Sequence, residues 1–180
     1  MKKILTYITI SIIFMLNVSC TELKNDTTIN SSTMKVGIVD ETFSMSVPEE
    51  YTETSSEYID KYFTKDDTAS IIFTKDSDVY QYDNANEYYS NAISQYKETF
   101  YNVQEISSEV VTVSGIYNAQ IVEFSYEIYS ESNVIDMTCY VEYILTGNTV
   151  YIVTCSAPTD KYSNYRNDFV QSIDSISINR

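Results

Sequence analysis

The chain has 180 residues, with 26 acidic side chains against 11 basic ones and a formal net charge of −15. Binding to polyanions relies on clustered Lys and Arg that displace counterions, so this balance excludes nucleic acid and anionic headgroups as ligands. Histidine is absent, which removes the usual general base near neutral pH.

Lys2 and Lys3 open the chain, and Ile4 to Leu16 follow as a mostly apolar run. Roughly a dozen such residues suit the core of an export signal and fall short of the ~20 needed to span a bilayer. Ser19 stands immediately before Cys20. This arrangement resembles the lipobox of bacterial lipoproteins, although Asn17 occupies the position where that pattern has an aliphatic residue. The resemblance implies that residues 1–19 are a lipoprotein signal peptide and that Cys20 is the first mature residue and the lipid attachment site. The protein is then expected at the cell membrane, on the extracytoplasmic face. An ordinary signal peptide or an uncleaved anchor would leave Cys20 unmodified. Two or three acyl chains, at ~0.8 kcal/mol per buried methylene, make a durable tether. Cleavage leaves nine basic residues against all 26 acidic ones, a charge of −17.

Residues 20–34 are polar and read as a flexible tether, which leaves residues 35–180 as one domain. Alternation in KVGIVDETFSMSVPEEY predicts two short strands around Asp40 and Glu41, closed by Pro48. EYIDKYFT and ASIIFTK flank Lys65-Asp66-Asp67 and predict a second strand pair. In NANEYYSNAISQYKETF, Asn84 with Glu87 three residues later is a helix-start signal, and Tyr88, Ala92, Tyr96 and Phe100 trace one helical face. VQEISSEVVTVSG and YNAQIVEFSYEIYS predict strands meeting near Gly115. VIDMTCYVEYIL and TVYIVTCSA predict two more, meeting at Gly147-Asn148. A second amphipathic helix is predicted from Pro158, with Tyr162, Tyr165, Phe169 and Ile173 on its apolar face.

This order predicts an α+β domain with an antiparallel sheet of about six to seven strands. VYIVTC and SIIF are apolar on both sides, so helices are expected on both faces of the sheet. Cys139 and Cys155 lie on the two arms of the last hairpin. A three-residue loop would set them opposite each other for a disulfide, whereas a two-residue Gly147-Asn148 turn would put them on opposite faces. Both arrangements are compatible with the sequence.

FSMSVPEEYTE, VSGIYNAQIVEFSYE and YIVTCSAPTDKYSNYRNDFVQSI, together with the strand and helix order between them, are similar to PsbP-like domains, including small lipoproteins of Gram-positive bacteria. The resemblance implies a helix-sheet-helix sandwich of the kind shared by the photosynthetic PsbP subunit and the Ran-binding Mog proteins. It runs from about residue 35 to 178 and reaches no functional residue, so it transfers no partner.

No spacing singles out a catalytic residue, and no cofactor motif is present; the chain reads as a non-enzyme. Asp76 and Asp78 begin like a calcium loop, but Tyr80 takes the next ligand position and the closing glutamate is missing. Asp76, Asp78 and Asp83 remain candidate ligands for weak Ca²⁺ binding. Tyrosines beside acids and amides in QYDNANEYYSN and EFSYEIYSES suit protein contact, while the spacing of Tyr88, Tyr96 and Tyr126 suits a partly buried core. The leading expectation is a lipid-anchored adaptor or accessory protein with a protein or envelope partner. The alternative is an acidic lipoprotein that captures Ca²⁺ or a small molecule.

Overall fold

The computed structural model describes residues 32–39, 42–55, 59–130 and 133–179. The predicted signal peptide, Cys20 and nearly all of the tether lie outside the described residues, as does the turn at Asp40 and Glu41.

Among the described residues, two antiparallel sheets and two helices make up the domain. β1 (Met34–Val39) and β2 (Phe43–Pro48) form the expected first pair, with Met34 opposite Pro48 and a register shift between Val36 and Ile38. A two-residue strand, β10 (Ser177–Ile178), pairs on the other side of β2 and completes a three-stranded sheet. Phe43, Met45 and Val47 are buried while Ser44 and Ser46 are half-buried, the period of two expected for a strand with one core face. The larger sheet contains β3 (Thr52–Thr54), β4 (Lys61–Lys65), β5 (Ala69–Ser77), β6 (Tyr101–Val113), β7 (Tyr117–Ser130), β8 (Asn133–Thr146) and β9 (Thr149–Pro158). Its order is β3-β4-β5-β9-β8-β7-β6, and every neighbour pair is antiparallel.

α1 (Ala85–Thr99) begins as expected: the Asn84 side chain accepts from the Glu87 backbone N–H at 3.0 Å, and the Glu87 carboxylate accepts from the Asp83 N–H at 3.0 Å. α2 (Tyr162–Asp174) starts later than predicted, because Pro158 is the last residue of β9 and not part of the helix's first turn.

Side-chain parity splits the core in two. Val150 and Ile152 join Tyr88, Tyr89, Ala92 and Tyr96 of α1 in one cluster. Tyr151, Val153 and Cys155 join Tyr165, Phe169 and Ile173 of α2 in the other, together with Phe43, Met45 and Val47 of β2. The expected pair of helical layers is therefore corrected: the layer holding α2 is mixed, being shared with the small sheet. Phe43 is fully buried, with its ring centroid 4.6 Å from that of Phe73 and 5.2 Å from that of Tyr151. Such a ring contributes about 1.5–3 kcal/mol by burial to the contact between the small sheet and the large one.

Candidate binding face

Eight large hydrophobic side chains are exposed among the described residues, and six of them lie on β6, β7, β8 or the β6–β7 turn: Tyr101, Ile106, Val110, Ile116, Tyr129 and Val134. Scattered single apolar residues are ordinary on a protein surface, but Tyr101, Tyr129 and Val134 gather on the α2 side of the sheet at its β7–β8 end, while Val110 lies on the α1 side and Ile116 at the far end, and such a gathering marks a contact site. The cause is topological. Among the described residues β6 is the outermost strand of the sheet, with β7 as its neighbour, and its side chains are almost all exposed while most of those of β7 are buried or half-buried.

One end of this face is held in place by Glu127. The Asn102 amide donates to one oxygen of its carboxylate at 2.6 Å and the Tyr129 hydroxyl to the other at 2.9 Å. Asn102 takes φ +50, a left-handed conformation that asparagine tolerates better than most residues, and the β6–β7 register shifts between Tyr101 and Gln104 and again between Glu105 and Ser107. Tyr101 and Tyr129 meet edge to face with centroids 4.6 Å apart. Two phenol rings are thus fixed at the surface at low entropic cost, a property that favours contact residues. Farther in, the Tyr89 hydroxyl of α1 donates to Glu105 of β6.

Polar side chains also gather on the face of the sheet under α2. Arg166 donates to both carboxylate oxygens of Glu123, at 3.2 and 3.1 Å, and lies 5.6 Å from the centre of the Tyr140 ring. Glu142 is 2% exposed, and its Oε2 has no hydrogen-bond partner. Burial, reinforced by Asp174, pushes its carboxyl up to about 8. On the other side of α2, Lys65 pairs with Glu50 and, at 3.2 Å, with Asp168, which also accepts from the Ser32 hydroxyl at 2.8 Å. Burial pushes the phenols of Tyr51 and Tyr162 well above their ordinary value, with Asp168 and Glu123 respectively adding to the effect. Such phenols stay protonated and are weak bases.

The candidate residues read from the sequence have separate fates. Cys139 pairs with Ser156 and Cys155 with Tyr140, because β8 and β9 are joined by the two-residue turn Gly147-Asn148. Gly147 takes φ +61, which suits the first central position of a tight hairpin turn. Cys139 therefore faces the α1 core and Cys155 the α2 core; both thiols are free, and the disulfide is not formed. Burial pushes Cys139 up to about 12 and Cys155 also upward, which disfavours the nucleophilic thiolate.

Asp76 is buried on β5, where it accepts from the Tyr88 hydroxyl at 3.2 Å. Asp78 and Asp83 are exposed in the segment that follows. No group of three or more Cys, Asp or Glu side chains is placed to hold a metal ion among the described residues, so these aspartates are not brought together. Tyr88, Tyr96 and Tyr126 are core residues as their spacing suggested, whereas Tyr129 of the same EFSYEIYSES stretch is exposed. The Glu123–Arg166 pair and Glu142 were not anticipated. Their one visible trace was a glutamate at an inward position of the apolar run CYVEYIL.

No family model matches the chain, and no curated protein matches it by sequence. Solved structures do. Cyanobacterial PsbP (CyanoP) from Synechocystis sp. PCC 6803 is similar with a TM-score of 0.62 at 9% identity, over 87% of this chain and 99% of that one. The Saccharomyces cerevisiae Ran-binding protein Mog1p is similar with a TM-score of 0.59 at 10% identity, over 82% of this chain and 96% of that one. LpqN of Mycobacterium tuberculosis, involved in cell envelope biogenesis, is similar with a TM-score of 0.57 at 12% identity, over 84% of this chain and 93% of that one. At these identities the likeness shows the fold: the chain has a PsbP-like fold, as the resemblance in its sequence implied.

Proposed function

We propose that this PsbP-like chain is a lipid-anchored, extracytoplasmic accessory protein that binds a protein partner through the face formed by β6, β7 and β8. The reading is non-enzymatic. Its main support is the cluster of three exposed large hydrophobic side chains, Tyr101, Tyr129 and Val134, on one side of the sheet at the β7–β8 end, two of them tyrosines packed edge to face beside Glu127. The fold neighbours lend context, since one is described as Ran-binding and another as involved in cell envelope biogenesis, but one fold hosts many functions. The anchor rests on the sequence alone, on Lys2, Lys3, the apolar run and Cys20. An acyl tether would keep the domain concentrated at the membrane, so that a weak contact suffices.

Photocrosslinking on intact cells tests the binding face. A photoreactive amino acid at Tyr129 or Val134 is expected to capture one and the same partner, and one at Tyr80, exposed but outside the β6–β8 face, to capture none. Identical capture from all three positions would overturn the assignment of the face. Fatty-acid labelling that persists in Cys20→Ser would overturn the anchor.

A further inference from the structure

Among the described residues, the outer border of β6 has no neighbouring strand. β6 spans thirteen residues, whereas β3, the strand at the opposite border of the sheet, spans three. An outermost strand leaves alternate N–H and C=O groups without a sheet partner, which is a template for one more strand. The irregular half of β6 ends at Ser107. From Ser107 to Val113 the strand pairs residue for residue with Glu123 to Tyr117 without a shift, so seven consecutive residues keep the regular geometry that an added strand needs.

The two faces of that stretch differ. Glu109 is paired with Ile121, which packs on the core under α2, so Glu109 projects on the α2 side of the sheet. Val110, paired with Gln120, projects on the α1 side and is 60% exposed. A strand laid beside it would place alternate side chains next to Glu109 and next to Val110.

We propose that the β6 border from Ser107 to Val113 receives an extended segment of a partner protein that places a basic residue beside Glu109 and an apolar residue beside Val110. The charge argument decides the occupant. The 107–113 border carries Glu109 and no basic residue, and the whole chain carries −15, so a second copy meets net like charge while a basic segment meets opposite charge. The proposal rests on the protein-partner reading above and adds a contact on the other half of β6 with its own partner chemistry.

Hydrogen-deuterium exchange on the full chain tests it, with two synthetic eight-residue peptides as probes: one alternating Lys with Val or Thr, and its counterpart with every Lys replaced by Glu. The basic peptide is expected to slow exchange at least tenfold in fragments covering 107–113, and the acidic one to leave it unchanged. In Glu109→Lys the preference should weaken or reverse, with unchanged protection of α1 showing that the variant is folded. Equal protection by both peptides, or none by either, would overturn the proposal. So would slowing that follows protein concentration without peptide, which would point to a second copy. Capture at Tyr129 and Val134 on cells does not depend on strand addition, so failure here with retained capture would leave the accessory-protein reading standing.

Discussion

Glu142 is the residue whose environment most contradicts its chemistry. A carboxyl raised to about 8 in the folded chain, against an ordinary value of 4.5, holds a proton that the unfolded chain releases. Its contribution to stability is complete below about pH 4.5 and is lost as pH rises through about 8. Glu142→Gln should therefore match the parent near pH 4 and exceed it by a few kcal/mol, in order of magnitude, at pH 9. Urea denaturation across that range measures the difference, and parallel pH profiles for the two proteins would refute it. Across α2, Asp168 is 5% exposed and depends on Lys65 and Ser32. Lys65→Met leaves that carboxylate without its cation and should cost about 2 kcal/mol, a figure reduced from that of a fully buried pair because Lys65 reaches solvent. Adding Asp168→Asn should recover part of the loss in a double-mutant cycle.

At the scale of elements, close approach and register are decisive. A Cβ on Gly37 would come within 2.8 Å of Val47 Cγ1, and Val47 is fully buried. Gly37→Ala should thus destabilise by about 1–3 kcal/mol through overpacking, and Val47→Ala in the same chain should offset part of it. The register around Gly147 makes a chemical forecast. A thiol reagent should leave Cys139 and Cys155 untouched in the native chain and modify both in urea, whereas a bridge would block both in either condition. Much of this architecture was legible beforehand: the eight longer strands showed as alternating stretches or as short apolar runs between turn signals, and Asn84 with Glu87 marked the start of α1 through the bonds they make. β3 and β10 were not legible, since two or three residues carry no period and β10 exists only by pairing with β2, far away in sequence. Nor was the border position of β6. Strand order depends on the pairing of β5 with β9, separated by α1 and three strands, and no local signal encodes it. Tyr129 was visible as a candidate contact residue only through the acids and amides of its stretch.

On the scale of the whole molecule, charge and topology act together. A net charge of −15 repels itself in the compact state, and the screening length falls from about 30 Å at 0.01 M salt to about 8 Å at 0.15 M. The urea midpoint should rise when sodium chloride is brought from about 10 to about 150 mM, and an unchanged or lower midpoint would show that self-repulsion is minor. The unequal borders of the large sheet carry a different consequence. Endless head-to-tail growth into fibres requires two complementary sticky ends on every subunit. Here one margin is thirteen residues long and the other three, so lengthening can proceed in a single direction. Any complex built on that margin should stop at one guest per host, however much of either is supplied.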